Sequence, residues 1–185
     1  MNNNSDIVKK LENISLKYIS KFETSENQFR KFLQKKISNL NIKLKNKDSN
    51  AFINNIVNKM KDLNYISDER FSEIKSQQII RNGGSKKMII LKLQEKGISK
   101  SIIKNCIEKL FNNEMSEIAA ALIYCKKRKI GIYHNENFDK KIPENVKSKW
   151  YGILSRKGFN YDVVKKTLQI KNNADAEDII DGMKI

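Results

Sequence analysis

The 185-residue chain predicts an all-α protein of three tandem three-helix repeats, helix-turn-helix in character, about nine helices in an elongated or curved body. Three observations lead there. Apolar residues recur with a 3.6-residue period in nearly every segment, and none alternates as a strand would. Cap and turn residues fall between the periodic segments. And the chain repeats itself: "QEKGISKSIIKNCI" (94–107) returns as "SRKGFNYDVVKKTL" (155–168), each with Lys-Gly followed by an aliphatic pair five residues on.

The elements follow in order. Ile7, Leu11, Ile14, Tyr18 and Phe22 step by three or four, as do Phe29, Phe32, Leu33 and Ile37. Phe52, Ile53, Ile56, Val57, Met60 and Leu63 complete a first triplet. Phe71, Ile74 and Gln78, then Ile89, Ile90 and Leu93, then Ile103, Cys106 and Leu110 make a second. Ile118, Leu122 and Cys125 open a third, which ends on Tyr161, Val164 and Leu168. Ser67, Ser85 and Ser99 stand where N-caps belong, their hydroxyls taking an otherwise unpaired first-turn amide. Pro143, the only proline, opens a helix, where its missing N–H costs nothing. Gly97 and Gly158 each follow a lysine at a helix end, where a positive φ is wanted.

Leu33, Leu93 and Leu154 occupy equivalent places. Aligned on them, Phe29, Ile89 and Trp150 fall one turn earlier, and Ser25, Ser85 and Val146 near the helix start. The repeats are then 1–63, with "LNIKLKNKDSN" (40–50) as a basic insert, 64–112, and 113–171, with an insertion near "GIYHNENFDKKI" (131–142). Residues 172–185 form an acidic C-terminal tail, for which disorder is the plainer expectation and folding back on the basic body, or docking on a partner, the sharper one. A module of this size buries little apolar area alone, so stacking on neighbours is expected to hold the repeats together. Met88 and Leu91 lie off the Ile89/Leu93 stripe and are candidates for such contacts.

Charge narrows the function. The chain has 37 Lys+Arg against 21 Asp+Glu, a net +16. The tail holds four of the acids and one base, leaving 36 bases against 17 acids in residues 1–171. Such a surplus calls for a polyanion or an acidic protein surface, unless the lysines reflect genome bias alone. The longest apolar run, Ile118 to Cys125, has eight residues against the roughly 18 of a bilayer span. No apolar segment follows the first charges, so neither a secretory leader nor a membrane partner is expected, and the cytoplasm is the default. Cys106 and Cys125 lack CxxC spacing and His134 is the only histidine, so buried thiols are expected, with no metal and no cofactor. No nucleophile–base pair, paired carboxylates or zinc motif is found, which argues against an enzyme.

Basic side chains are therefore the candidate contacts. "RNGGSKKM" (81–88) offers Arg81, Lys86 and Lys87 at a turn and helix start. An ordinary turn with a cap is the plainer reading there, an anion site the sharper one. Lys92 and Lys96 follow on the next helix. "CKKRKIGIY" (125–133) is the densest positive run, with Lys126, Lys127, Arg128 and Lys129. It is either a solvated helix end, where cations suit the dipole, or a contact surface. Lys147, Lys149, Arg156 and Lys157 add charge in the same repeat. Trp150 reads as packing. In "SDERF", Asp68 and Glu69 suit a first helical turn by roughly 0.3–1 kcal/mol, Arg70 suits a carboxylate of a neighbouring repeat, and Phe71 suits the core.

At these residues the chain resembles the RecX family of bacterial regulatory proteins. The resemblance rests on "LNYISDERFSEIKSQQIIRNGGSKKMIILKLQEKGIS" (63–99) and "KSKWYGILSRKGFNYDVVKKTL" (147–168), with support from "AAALIYCKKRK" (119–129). The most specific part is Tyr65, Ile66, Asp68, Glu69, Arg70 and Phe71, closing at Lys96 and Gly97; Gly158 repeats the closing glycine. The basic insert, the long connection around His134 and the acidic tail depart from the family pattern. The resemblance implies three tandem three-helix repeats. It also implies a non-enzymatic modulator of the RecA recombinase, acting in DNA repair and SOS regulation. Such a protein lies along RecA filaments on DNA, limits their growth and lowers ATPase, strand-exchange and co-protease activity. Its partners would be the RecA filament and single- or double-stranded DNA, and it would act as a monomer. A stand-alone basic helical DNA-binding protein is the alternative reading.

Overall fold

The computed structural model describes residues 3–39, 46–134 and 142–183. Among them are ten α-helices and one 3-10 turn, with no strand. They are α1 (Asn3–Ile19), α2 (Glu26–Asn39), α3 (Asn46–Asp62), α4 (Asp68–Arg81), α5 (Lys86–Glu95), α6 (Lys100–Leu110), α7 (Glu114–Arg128), α8 (Glu144–Arg156), α9 (Tyr161–Gln169) and α10 (Asn173–Asp181); the 3-10 turn is Gly131–Tyr133. The tenth helix lies in the acidic tail. The first six residues of the basic insert (40–45), most of the connection after His134 (135–141) and the last two residues lie outside the described residues. The remainder of the insert is already helical, because α3 starts at Asn46.

The chain separates into two compact units. One comprises residues up to Ser72 together with Glu95–Ile102, and the other Glu73–Gln94 together with the chain from Ile103. In the first, α1, α2 and α3 bury Leu11, Phe29, Leu33, Ile53, Ile56, Val57 and Met60. Tyr18 stacks on Phe32 at 3.9 Å between ring centroids, which closes the α1–α2 seam with aromatic contact. Phe22 and Leu63, which the period places on the inner faces, are 56% and 52% exposed. Both lie past their helix ends in turns, where the 3.6-residue geometry that would carry them inward has stopped.

In the second unit α7 is the central element, packed against both α9 and α10. Ala119, Ala120 and Ala121 are fully buried. Three consecutive small residues sweep roughly 100° each around the helix axis, so more than one neighbour can approach closely. α4 divides between the units after Ser72; its buried side chains are Phe71, Ser72, Ser76 and Ile80, whereas Ile74 is 38% exposed. The serines read as polar but bury at low cost because their hydroxyls are satisfied. Ser72 Oγ donates to the Asp68 carbonyl at 2.6 Å, and Ser76 Oγ lies 3.4 Å from Cys106 Sγ. Leu91, off the main stripe, is half exposed.

Candidate functional site

Two equivalent clasps organise the turns that carry the basic residues. Ser25 caps α2, its Oγ accepting from Gln28 N–H at 3.2 Å while donating to the Lys96 carbonyl at 2.8 Å. Ser85 caps α5 in the same way, accepting from Met88 N–H at 3.2 Å and donating to the Lys157 carbonyl at 2.8 Å. In each case the hydroxyl serves one helix as a cap and the following Lys-Gly turn as a donor. The glycines must be glycines. Gly97 and Gly158 have φ of +79° and +97°, and a Cβ at Gly158 would stand 2.6 Å from Ser85 Oγ. At Gly97 it would meet Asn27 Cβ at 2.6 Å.

The signature around Tyr65 is structural on the same pattern. Asp68 Oδ1 accepts the backbone N–H of Glu26 at 2.8 Å, so its carboxylate serves the start of α2 as well as the first turn of its own helix. Burial pushes the Asp68 carboxyl up, and the Glu26 N–H pulls it back. Arg70 pairs with Glu23 at 3.1 Å and donates to the carbonyls of Asn64 at 3.0 Å and Tyr65 at 3.1 Å. This fork fixes a turn in which Asn64 has φ +54° and leaves Tyr65 47% exposed. Glu69 is exposed, and Phe71 is 6% exposed, in the core.

In the second unit three turns bring basic residues together around Tyr124. The α4–α5 turn lies directly on α7: a Cβ at Gly83 would fall 2.6 Å from the Tyr124 backbone. Lys127 Nζ donates across this junction to the Arg81 carbonyl and to Asn82 Oδ1, both at 2.8 Å. Lys157 Nζ stands 5.0 Å from the Tyr124 ring centroid, and Arg128 Cζ 5.9 Å, distances at which a ring face attracts cations. The clasp at Gly158 brings Lys87 to the α8–α9 turn. Arg81, Lys87, Lys127, Arg128 and Lys157 thus share one neighbourhood, drawn from segments up to 76 residues apart in the chain.

Other predicted contacts are placed differently. Lys126 turns to the acidic tail, with Nζ 2.6 Å from Glu177 Oε2 and 6.0 Å from the Tyr133 ring centroid. The Tyr133 hydroxyl donates to Glu177 Oε1 at 2.9 Å. The hydrogen bond from Lys126 holds the Glu177 carboxyl below its usual range; burial, with Glu177 adding to it, raises Tyr133. Lys86 acts on the half-buried Glu117, which burial pushes up against the pull of that lysine. Lys129 ends α7 with φ +54°. Lys147 lies 3.8 Å from Glu144, Lys149 is exposed on α8, Arg156 is exposed in its last turn and Lys92 is exposed on α5. Lys96 belongs to the first unit, its carbonyl engaged by Ser25.

Tyr124 carries no charge and gives no signal in a count of lysines, although it directly precedes the basic run 125–129. Beside it is a cavity of about 550 Å³ lined by Tyr124, Arg128, Lys129, Ile130, His134, Trp150 and Ile153. Among the described residues no group of three His, Cys, Asp or Glu side chains could hold a metal ion. Nor is any of their helices long and apolar enough to cross a membrane.

No protein-family model matches the chain. It is 32% identical over 126 residues to a regulatory protein RecX of Finegoldia magna, covering 67% of this chain and 58% of that protein. A second regulatory protein RecX, of Clostridioides difficile, is 30% identical over 142 residues, covering 74% and 63%. The fold is similar to the crystal structure of RecX from Lactobacillus salivarius, with a TM-score of 0.66 at 20% identity over 89% of this chain and 96% of that one. The chain belongs to the RecX family. RecX is a family of regulatory proteins, and this RecX-family chain spans 58% and 63% of the length of the two curated relatives.

Proposed function

We propose that this RecX-family chain is a non-enzymatic regulator that binds RecA nucleoprotein filaments, limits their growth, and lowers RecA ATPase, strand-exchange and co-protease activity. It works in the cytoplasm, as a monomer, in DNA repair and SOS regulation. Family membership supports the class of function. The observation that carries the mode of binding is the junction around Tyr124, where Arg81, Lys87, Lys127, Arg128 and Lys157 converge. Arg128 and Lys157 both place their charge on the Tyr124 ring, and a phosphate backbone or an acidic subunit surface offers such a basic junction its counter-charge. A body bridging adjacent filament subunits would compete with subunit addition. The repeats 1–63, 64–112 and 113–171, with the tail 172–185, are the units of that body; the two serine–lysine–glycine clasps support the repetition.

Substoichiometric protein added to RecA on single-stranded DNA is expected to lower ATP hydrolysis and shorten filaments. The triple charge reversal Lys127→Glu, Arg128→Glu and Lys157→Glu is expected to abolish the effect. Unchanged hydrolysis with the unaltered protein would refute the reading. The second reading, a stand-alone DNA-binding protein, draws on the surplus of 36 bases over 17 acids in residues 1–171. It requires affinity for duplex DNA without RecA, falling with salt by a slope near −0.9 per phosphate contact.

A further inference from the structure

The cavity beside Tyr124 is an open groove that adds aromatic side chains to the basic residues of the junction. Its walls are the rings of Tyr124, His134 and Trp150 with the aliphatic side chain of Ile153, and its cations are Arg128 and Lys129. Among the described residues no carboxylate lines it. His134 and Trp150 meet edge to face at 5.1 Å, which gives the aromatic wall a fixed shape, and Trp150 is only 7% exposed. Tyr124 is held from behind by the Gly83 turn. A volume of about 550 Å³ exceeds what an inorganic anion fills and lies within the range of small-molecule sites. A ligand that uses all of it has a flat π body for the rings and an anionic end for the cations.

We propose that this groove binds a nucleotide, its base against the partly exposed rings of Tyr124 and His134, with Trp150 buried behind them, and its phosphate on Arg128 and Lys129. The same chemistry has two sources, a free mononucleotide or one nucleotide unit of a single strand. Base–aromatic stacking tolerates any base, and a guanidinium takes a phosphate in bidentate fashion. The site stands apart from the filament-binding reading, because a mononucleotide can occupy it with neither RecA nor a strand present.

Trp150 is the only tryptophan, so its fluorescence reports on this cavity. The full chain is titrated with deoxyadenosine monophosphate, with an oligodeoxyadenylate and with inorganic phosphate. A saturable change with the mononucleotide is expected, weakened about tenfold by Arg128→Gln through the lost phosphate contact and about tenfold by Tyr124→Leu through the lost stacking. Lys104→Gln, an exposed charge elsewhere in the same unit, is expected to leave it unchanged. If the oligomer gives the same change and the mononucleotide competes with it, the strand is a source; if only the mononucleotide acts, the free nucleotide is. Phosphate producing the same change at the same concentration would overturn the proposal, since the rings would then contribute nothing. So would a silent Trp150 with both nucleotide probes, even where anisotropy of an end-labelled oligomer shows binding. That last outcome removes the cavity and leaves the nucleic-acid and filament readings standing.

Discussion

Replacing Gly158 with alanine tests the clasp most directly. The residue holds φ +97°, and the new methyl would lie 2.6 Å from Ser85 Oγ and 3.3 Å from Lys87 Cβ. A non-glycine residue held in that region costs about 1–3 kcal/mol. Moving Ser85 aside to make room breaks its 2.8 Å hydrogen bond to the Lys157 carbonyl, about another 1 kcal/mol. The sum, about 2–4 kcal/mol, is a large fraction of the roughly 5–15 kcal/mol that holds a domain folded. Gly152 is the internal control. It lies inside α8 with no positive φ, and a Cβ there meets only Arg156 Nη1 at 3.5 Å, so Gly152→Ala is expected to stabilise by about 0.5–1 kcal/mol. Urea denaturation followed by Trp150 fluorescence and far-ultraviolet circular dichroism reads both. A Gly158→Ala midpoint that matches the unaltered protein, or moves with Gly152→Ala, would refute the clasp as a source of stability.

Four further outcomes rest on other contacts of the second unit. Glu177→Gln frees Lys126 from its carboxylate and is expected to raise DNA affinity severalfold at low salt, an effect that fades as salt screens it; equal isotherms would dismiss masking by the tail. Because Lys126 holds the Glu177 carboxyl low, that pair's contribution is fully present above the ordinary glutamate pKa of roughly 4.3. It is lost as pH falls through the lowered value, and loss of α10 docking in acid, followed by amide exchange, checks the sign. Thr167 Oγ1 is buried and lacks a hydrogen-bond partner among the described residues, so Thr167→Val is expected to stabilise by about 1 kcal/mol in thermal unfolding. Burial pushes the Cys125 thiol up to about 12 and also raises Cys106, with Ser76 opposing. Neither is expected to react with a disulfide reagent at neutral pH until the chain unfolds.

The helices were legible because burial imposes a period, and Phe29, Leu33, Ile89, Leu93, Trp150 and Leu154 all lie inside where that period places them. The period fails where polarity and burial part company. Ser72 and Ser76 are inside while Ile74 is not, since a serine hydroxyl that finds a carbonyl or a thiol buries cheaply. The tail shows the other limit. Four acids in a short segment suggest a solvated end, and nothing local announces that Ala176 will be fully buried or that Glu177 will meet Lys126, 51 positions earlier. The basic candidates were legible as a population but not as a site. Which lysines converge depends on turns that meet only after folding. Asp68 was readable as a first-turn acid, whereas its bond to the Glu26 amide spans 42 residues and leaves no trace in spacing.

The Lys-Gly doublet finally separates into two halves with different duties. The clasp uses the lysine's carbonyl and the glycine's empty Cβ position, so the lysine side chain is released for other contacts. Where the partner serine is missing, so is the clasp. Val146, which aligns with Ser25 and Ser85, lies inside α8, whose cap position is Pro143 with no side-chain hydrogen bond, and no Lys-Gly follows residue 158. Lys157→Gln should therefore behave unlike Gly158→Ala. It leaves the hydrogen bond from Ser85 in place and gives up only the cation on Tyr124 at 5.0 Å, about 0.5–1 kcal/mol at an exposed site. It should nonetheless weaken filament or DNA association and lower the salt slope by about one. Gly158→Ala, assayed below its unfolding midpoint, should keep both the slope and the cations. Equal loss of stability in the two variants would mean that the doublet works as one unit, and the lysine would then have no side chain to spare for a partner.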